Sequence, residues 1–289
     1  MYHLLHVISG ISTSFSSRRQ FSPLASLCMA PQRTHSKISG APDYDSPEFW
    51  DARFATGSDV GEWLNSGDVL IDAVLSDLNQ RPHLHAPSKA PHVLHLGPGV
   101  SQLGRKLRDA CLQRQWTGNG ILNVDFSTEA VRLGQRAEEE MKPEHAMHWR
   151  CADLLLWDDV ATLTPFAPFD VILDKSTSDA IATFSDCQIS ATNDSRICPT
   201  VREVVQDKHG DTATLSPVEL LALNLVPLTK KDTTWITLSY STLRFDHLPF
   251  LERFWNLRSR TALKAPPGPV STSAHTPDVF HWVYVLDRK

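Results

Sequence analysis

Apolar residues change period in a regular order along this 289-residue chain. Val93–Leu96 is a run of strand length between Pro91 and Gly97, after which Leu103, Leu107, Ala110 and Cys111 fall on one face of a helix. The alternation repeats with a strand at 121–124, a helix face of Ala130, Leu133, Ala137 and Met141, and strands at 148–152 and 171–173. Strands and helices that alternate through short joints predict one α/β domain with a doubly wound, mostly parallel sheet. Upstream, residues 46–75 carry aromatic and apolar positions in a mostly helical lead-in, closed by a Pro/His/Ser-rich linker at 81–91. Downstream, 185–214 is polar and irregular, a long loop predicted to cover the site and contact the acceptor. Ser216-Pro217-Val218-Glu219 then carries a helix-start signature. A fifth strand is expected at 235–240 and a late one at 279–286, after a Pro/Ser-rich connection at 265–277.

The joint after the first strand carries the chemistry. Gly97-Pro98-Gly99 follows an apolar run and precedes a helix, and the next strand ends at Asp125, the layout of a nucleotide site in an open α/β sheet. A dinucleotide fingerprint needs a third glycine where this chain has Gln102. A phosphate loop needs lysine and a hydroxyl where Arg105 and Lys106 stand. What remains is a turn that lets backbone approach a ligand without clamping phosphate, with an acid one strand later that can accept ribose hydroxyls. S-adenosylmethionine fits that description.

Composition narrows the class further. With 41% hydrophobic residues the chain can bury a core, and no apolar stretch approaches the roughly 18 to 20 residues of a membrane span. The five cysteines form no C-x-x-C pair, which argues against a zinc cage or disulfide framework. His83, His85, His92 and His95 crowd a linker and a strand rather than a helix face with ligand spacing, so no metal is expected. Residues 1–42 hold four basic residues and no acid, so 24 basic against 33 acidic residues leave the body at −9. That balance disfavours an extended nucleic-acid substrate. The first 42 residues are serine-rich and contain arginine, the composition of a mitochondrial transit peptide. The alternative is a disordered tail upstream of a second start at Met29, which leaves a cytoplasmic protein. Either way the domain is 43–289.

Four stretches resemble the class I, seven-strand S-adenosylmethionine-dependent methyltransferases, and within them the branch of elongation factor 1A lysine methyltransferases. They are Phe49-Trp50-Asp51-Ala52-Arg53-Phe54 with Glu62-Trp63; Leu94-His95-Leu96-Gly97-Pro98-Gly99-Val100-Ser101; Asn123-Val124-Asp125-Phe126-Ser127; and Phe169-Asp170-Val171-Ile172-Leu173-Asp174-Lys175-Ser176-Thr177-Ser178-Asp179-Ala180. The last is the most specific. The resemblance implies a seven-stranded Rossmann-like sheet, S-adenosyl-L-methionine as cofactor, and a protein lysine as acceptor. It also implies site roles. Gly97 and Gly99 pass close to the methionine part of the cofactor; Asp125, with Phe126 beside it, takes the ribose; Asp153 takes the adenine amino group. Trp50, Arg53 and Trp63 close over the cofactor, Arg53 toward its carboxylate, and Asp174 faces the methyl donor or the incoming acceptor as the catalytic residue. Lys175 and Asp179 receive no chemistry beyond pairing with each other or capping the turn.

Two departures stand beside the resemblance. His95 occupies the place, two residues before the first glycine, where many such enzymes carry an acid, and Pro227-Leu228-Thr229-Lys230-Lys231-Asp232 replaces the usual Pro-Gly-Gly turn. The asparagine-proline-proline-aromatic motif of amide and adenine methylation is absent. Small-molecule O-, S- or N-methylation and a catalytically silent binding protein are the alternatives to lysine methylation.

Overall fold

The computed structural model describes residues 42–56, 62–85, 90–190, 196–207, 212–266 and 278–289. Nearly all of the expected targeting segment at 1–42, parts of the linker at 81–91 and of 185–214, and most of the 265–277 connection lie outside the described residues.

The lead-in is two helices. In α1 (Pro47–Ala55) Ser46 caps the Phe49 amide and Pro47 sits at the first turn, and α2 (Asp68–Asn79) turns in at Gly67 and buries Leu70, Val74 and Leu78. The alternating core follows as β1 (Val93–Leu96), α3 (Leu103–Gln113), β2 (Ile121–Asp125), α4 (Thr128–Glu138), β3 (His148–Cys151), α5 (Trp157–Ala161), β4 (Phe169–Lys175) and α6 (Thr177–Ile181). Then come β5 (Cys187–Ser190), α7 (Pro199–Asp207), β6 (Thr212–Leu215) and α8 (Pro217–Leu225), the last opened by the expected capping box of Ser216 and Glu219. The chain ends with β7 (Thr229–Ser239), α9 (Pro249–Phe254), β8 (Trp255–Lys264) and β9 (Phe280–Arg288).

Seven strands form one sheet in the order β3-β2-β1-β4-β7-β9-β8. The first five are mutually parallel and β9 runs antiparallel to both of its neighbours. Strand residues sort alternately to two cores, as period-2 geometry requires. Leu94, Leu96, Ile172 and Trp235 pack with Val160, Leu221 and Leu225 on one face; Val93, Val171, Leu173 and Ile236 pack with Leu70, Val74, Leu103 and Leu107 on the other. A sheet buried on both faces reads as continuous apolar runs, and β1, β2 and β4 are buried throughout.

The structure departs from the sequence reading in four places. Residues 185–214 are not simply irregular: β5 and β6 pair antiparallel, and α7 buries Val201, Val204 and Val205 against Leu220 and Leu223 of α8. Strand β8 was not expected. It is the sheet edge, exposed almost throughout after Trp255, so its backbone pairing with β9 leaves no alternating signature. Strand β7 begins earlier than 235, because a bulge at Lys230 to Asp232 lets Thr229 already pair with Phe169. The buried stripe of α4 is Ala130, Val131, Gly134 and Glu138, with Ala137 exposed. Gly134 lets the Trp149 ring lie on the helix, where a Cβ would come within 2.3 Å, and Glu138 turns inward to pair with Arg108 at 3.0 Å.

Candidate functional site

The carboxyl ends of β1, β2, β3, β4 and β7 surround one cavity, roofed by the lead-in around α1. Crevices at strand carboxyl ends are where open parallel sheets bind ligands. Gly97, Gly99, Asp125, Phe126, Asp153, Trp50, Arg53 and Trp63 all line it, so the structure brings residues from five separate stretches together around one cavity.

The glycine loop owes its composition to two constraints. Gly97 and Gly99 have φ values of 50° and 52°, in the region that strains a side chain. A Cβ at Gly97 would meet Thr177 Oγ1 at 2.3 Å, and one at Gly99 the Phe54 ring at 3.0 Å. The close approach of helix to strand that a third glycine would permit is made instead by Gly104, whose Cβ would fall 3.0 Å from Asn123 Oδ1 and 3.3 Å from His95 Nδ1. His95 does not face the cavity. It is buried beneath α3 with Nδ1 2.9 Å from Asn123 Oδ1, and burial pushes its pKa down to about 4.

Carboxylates fasten this end of the molecule to backbone amides. Asp125 accepts from the Gly99 amide and the Ser127 amide, both at 2.9 Å, which ties the loop to the start of α4; burial pushes its carboxyl up to about 6 against those hydrogen bonds. The cap of α4 is Ser127, whose hydroxyl accepts from Ala130 N, reinforced by Asp51 of α1. Asp51 accepts from Ser127 Oγ at 2.5 Å, Thr128 Oγ1 at 2.9 Å and the Glu129 amide at 3.0 Å. That bond set holds α1, with Trp50, Arg53 and Phe54, over the cavity. Asp153 accepts from the Leu155 amide at 2.9 Å, and burial raises its carboxyl above the usual range.

Glu62 had no assigned role and proves central. Its Oε1 accepts from the Gln102 amide at 2.7 Å, and its Oε2 accepts from Ser101 Oγ at 2.7 Å and from Lys175 Nζ. Burial would raise this carboxyl, but the hydrogen bonds from Lys175, Ser101 and Gln102 outweigh it and hold the group ionised below its usual range. Lys175 therefore pairs with Glu62, not with Asp179. Asp179 accepts from Ser176 Oγ at 2.6 Å, Ser239 Oγ at 2.5 Å, the Tyr240 amide at 3.1 Å and Arg244 Nε at 2.7 Å.

The expected catalytic position of Asp174 is not what the structure shows. Asp174 is fully buried and is not among the cavity-lining residues; its Oδ1 accepts from the Thr177 amide at 2.8 Å and the Ser178 amide at 3.3 Å. It is the N-terminal cap of α6, since the end of β4 must turn through Ser176 at φ 68° before the helix begins. Burial pushes its carboxyl up to about 6. Walls to which the sequence assigned no role include Tyr44, Phe54, Thr177 and Tyr240. Phe54 and Thr177 lay inside quoted motifs; Tyr44 and Tyr240 carry no local signal. Among the described residues no three His, Cys, Asp or Glu side chains converge as a metal site. No described helix is long and apolar enough to cross a membrane.

No protein-family model matches the sequence, and no curated protein does. Solved structures match in fold. A protein described for the conversion of a disulfide bond into a thioacetal group in echinomycin biosynthesis is 14% identical, with 84% of this chain and 93% of that one covered at a TM-score of 0.50. Magnesium protoporphyrin IX methyltransferase from Synechocystis PCC 6803, solved with bound S-adenosylmethionine, is 12% identical over 87% of this chain and all (100%) of that one, at 0.46. The N-methyltransferase NodS from Bradyrhizobium japonicum WM9, solved with S-adenosyl-L-homocysteine, is 14% identical over 86% and 99%, at 0.46. Likeness at such identities is likeness of fold. The sheet order and its single antiparallel strand make this the seven-stranded, Rossmann-like methyltransferase fold, in one domain.

Proposed function

We propose that this chain is an S-adenosyl-L-methionine-dependent methyltransferase whose acceptor is a protein lysine. The observation that carries the cofactor is the occupied start of α3. In a dinucleotide or phosphate-loop site the first helical amides are left free for phosphate oxygens. Here the Gln102 amide and the Ser101 hydroxyl are both taken by the Glu62 carboxylate, so a negative charge sits where phosphate would bind. The cavity suits a nucleoside with no phosphate.

The residues present fit that cofactor. Arg53 Nε is buried without a hydrogen-bond partner beside the glycine loop, a donor suited to an amino-acid carboxylate. In this reading Asp125 takes the ribose hydroxyls, Phe126 the purine face and Asp153 the adenine amino group, since an ionised carboxylate only accepts. Bound there, the sulfonium would supply an activated methyl and its own leaving group. The chain's task is then alignment and exclusion of water. The roof of Trp50, Phe54 and Trp63 serves the second. Asp174 serves the first at one remove, by capping the helix that carries Asp179 and Ala180 into the wall.

Support for a lysine acceptor is the motif around Lys175 to Ala180 and the body's charge of −9, which favours a basic protein partner. Residues 1–42 we propose as a mitochondrial targeting segment. A fluorescent reporter fused to them should enter mitochondria, and a diffuse reporter refutes the assignment.

Calorimetric titration of the chain from about Asp43 should show S-adenosylhomocysteine binding that Gly99→Arg or Asp125→Ala removes. Binding of NADH in its place overturns the cofactor. With radiolabelled methyl donor and cell lysate, label should enter a discrete protein band that yields methylated lysine on hydrolysis. Label found only in small molecules overturns the acceptor and spares the cofactor.

A further inference from the structure

Ser176 stands in a backbone conformation that does not suit a serine. It joins β4 to α6 with φ 68° and ψ 11°. Gly67 enters α2 in the same way, with φ 74° and ψ 7°. A left-handed entry into a helix is free of strain for glycine and strained for a residue with a Cβ, so the same turn is made once by the residue that fits it and once by one that does not. Serine is common at helix starts because its hydroxyl caps an amide, yet Ser176 makes no such bond, and the Thr177 and Ser178 amides go to Asp174. The backbone is held in place on both sides: the Ser176 amide donates to Leu238 O at 2.8 Å, and its carbonyl accepts from the Ala180 amide at 3.1 Å. A strained residue fixed in this way beside a cavity calls for a role for its side chain.

The hydroxyl makes two bonds. It accepts from Trp63 Nε1 at 3.2 Å and donates to Asp179 Oδ2 at 2.6 Å, which joins the lead-in to α6 across 113 residues of sequence. Asp179 does not depend on that bond, since Ser239 Oγ, the Tyr240 amide and Arg244 Nε also donate to it. Trp63 does depend on it. Its ring is 39% exposed and belongs to neither core of the sheet, so burial alone does not place it. Edge contacts of Trp63 with Tyr44 at 5.7 Å and Trp50 at 6.3 Å extend the effect of the hydrogen bond to the rings of the roof.

The strand ends around the cavity follow the order β3-β2-β1-β4-β7, and the groups proposed for adenine, ribose and the methionine part stand at the first three. The ends of β4 and β7 are left for the acceptor, and Ser176, with Trp63 and Asp179 bonded to it, lines the wall there. We infer that Ser176 is a positioning residue for the acceptor: its hydroxyl fixes Trp63 over the end of β4, and serine occupies a turn suited to glycine for the sake of that bond. The inference adds a residue on the acceptor side to the proposed methyl transfer and rests on that reading for the reaction measured.

Ser176→Gly and Ser176→Ala separate strain from positioning, because both delete the hydroxyl and only glycine relieves the turn. The glycine variant should therefore unfold at a higher urea concentration than the alanine variant. Transfer of radiolabelled methyl groups from saturating S-adenosylmethionine into protein of a cell lysate should nevertheless fall about tenfold or more in both alike. The Trp63 indole N–H resonance, assigned by its loss in Trp63→Phe, should move in both variants. Wild-type transfer by Ser176→Gly, or transfer that follows stability and fails only in Ser176→Ala, would make the position structural and overturn the inference. An unmoved indole resonance, or a glycine variant no more stable than the alanine variant, overturns it as well. If the wild type transfers no methyl, the methyltransferase reading falls, and the indole resonance and the two urea midpoints still decide whether the strained serine holds Trp63.

Discussion

The two ends of the sheet are fastened by different means. At the glycine-loop end, Asp51, Glu62, Asp125 and Asp174 each bond a backbone amide at the start of a helix or loop. At the β8–β9 end the acids pair with arginine and lysine side chains: Arg258 with Asp287, Arg260 with Asp246, Lys264 with Asp278. An amide is already fixed by the chain, so a carboxylate that caps it pays little further ordering entropy and leaves a rigid wall. Exposed pairs must order two long side chains in solvent and contribute little. Around the cavity, carboxylate-to-amide bonds stand beside ion pairs with little exposure, Glu62–Lys175 and Asp179–Arg244, whereas the β8–β9 edge relies on pairs that are largely open to solvent.

The contrast can be broken most severely at the glycine loop. Gly97→Val should cost about 3 kcal/mol or more, because the new side chain meets both a left-handed φ and the Thr177 side chain 2.3 Å away. Denaturant unfolding that shows less than half of this would mean the loop is free to relax. Acid should act next, through His95. Its folded pKa of about 4 lies below the unfolded value of 6.5, so its contribution is complete above pH 6.5 and is lost as the pH falls toward 4. The difference corresponds to about 3 kcal/mol. Urea midpoints of the wild type and His95→Gln, compared at pH 7 and pH 4.5, should differ in pH dependence by that order, and parallel slopes would refute it.

A smaller effect separates the ends by ligand. Arg53→Met should weaken S-adenosylhomocysteine about tenfold, the worth of one charge-assisted hydrogen bond, while leaving 5′-methylthioadenosine unchanged, because only the first carries a carboxylate. Equal losses for both compounds would make Arg53 part of the roof and nothing more. The smallest change belongs to the far edge. Arg258→Ala should shift stability by less than about 1 kcal/mol, since its side chain is 46% exposed and Asp77 keeps Arg81 as a partner. A larger loss would erase the distinction between the two ends.

Much of the glycine-loop half was legible in the chain. Strands β1, β2 and β4 are buried on both faces and so announce themselves as apolar runs, and the capping box before α8 was read residue by residue. The far edge was not, because β8 is held by backbone pairing along an exposed face that imposes no side-chain pattern. Residues 185–214 were misread for a related reason. The apolar positions of α7 are few, and they find their partners on α8, which no local window contains. Among the cavity-lining residues, Gly97, Gly99, Asp125 and Asp153 stand at strand ends that are locally encoded, so their places can be read from the chain. Glu62 and Asp179 were visible but mute, and Asp174 was assigned to the cavity when it turns back to cap its own helix.

The sequence by itself determined the class of sheet, the loop that opens its first crossover, and the acids at the strand ends, since strand period, glycine torsion and helix caps are properties of a few neighbouring residues. Only the tertiary structure decided which acid serves which group. Whether a carboxylate faces a ligand, caps a helix or neutralises a lysine depends on which amides and cations lie within about 3 Å of it. Those neighbours come from elements brought together by burial of the two faces of the sheet: Glu62 meets Lys175 across 113 residues, and Tyr240 meets Asp179 across 61.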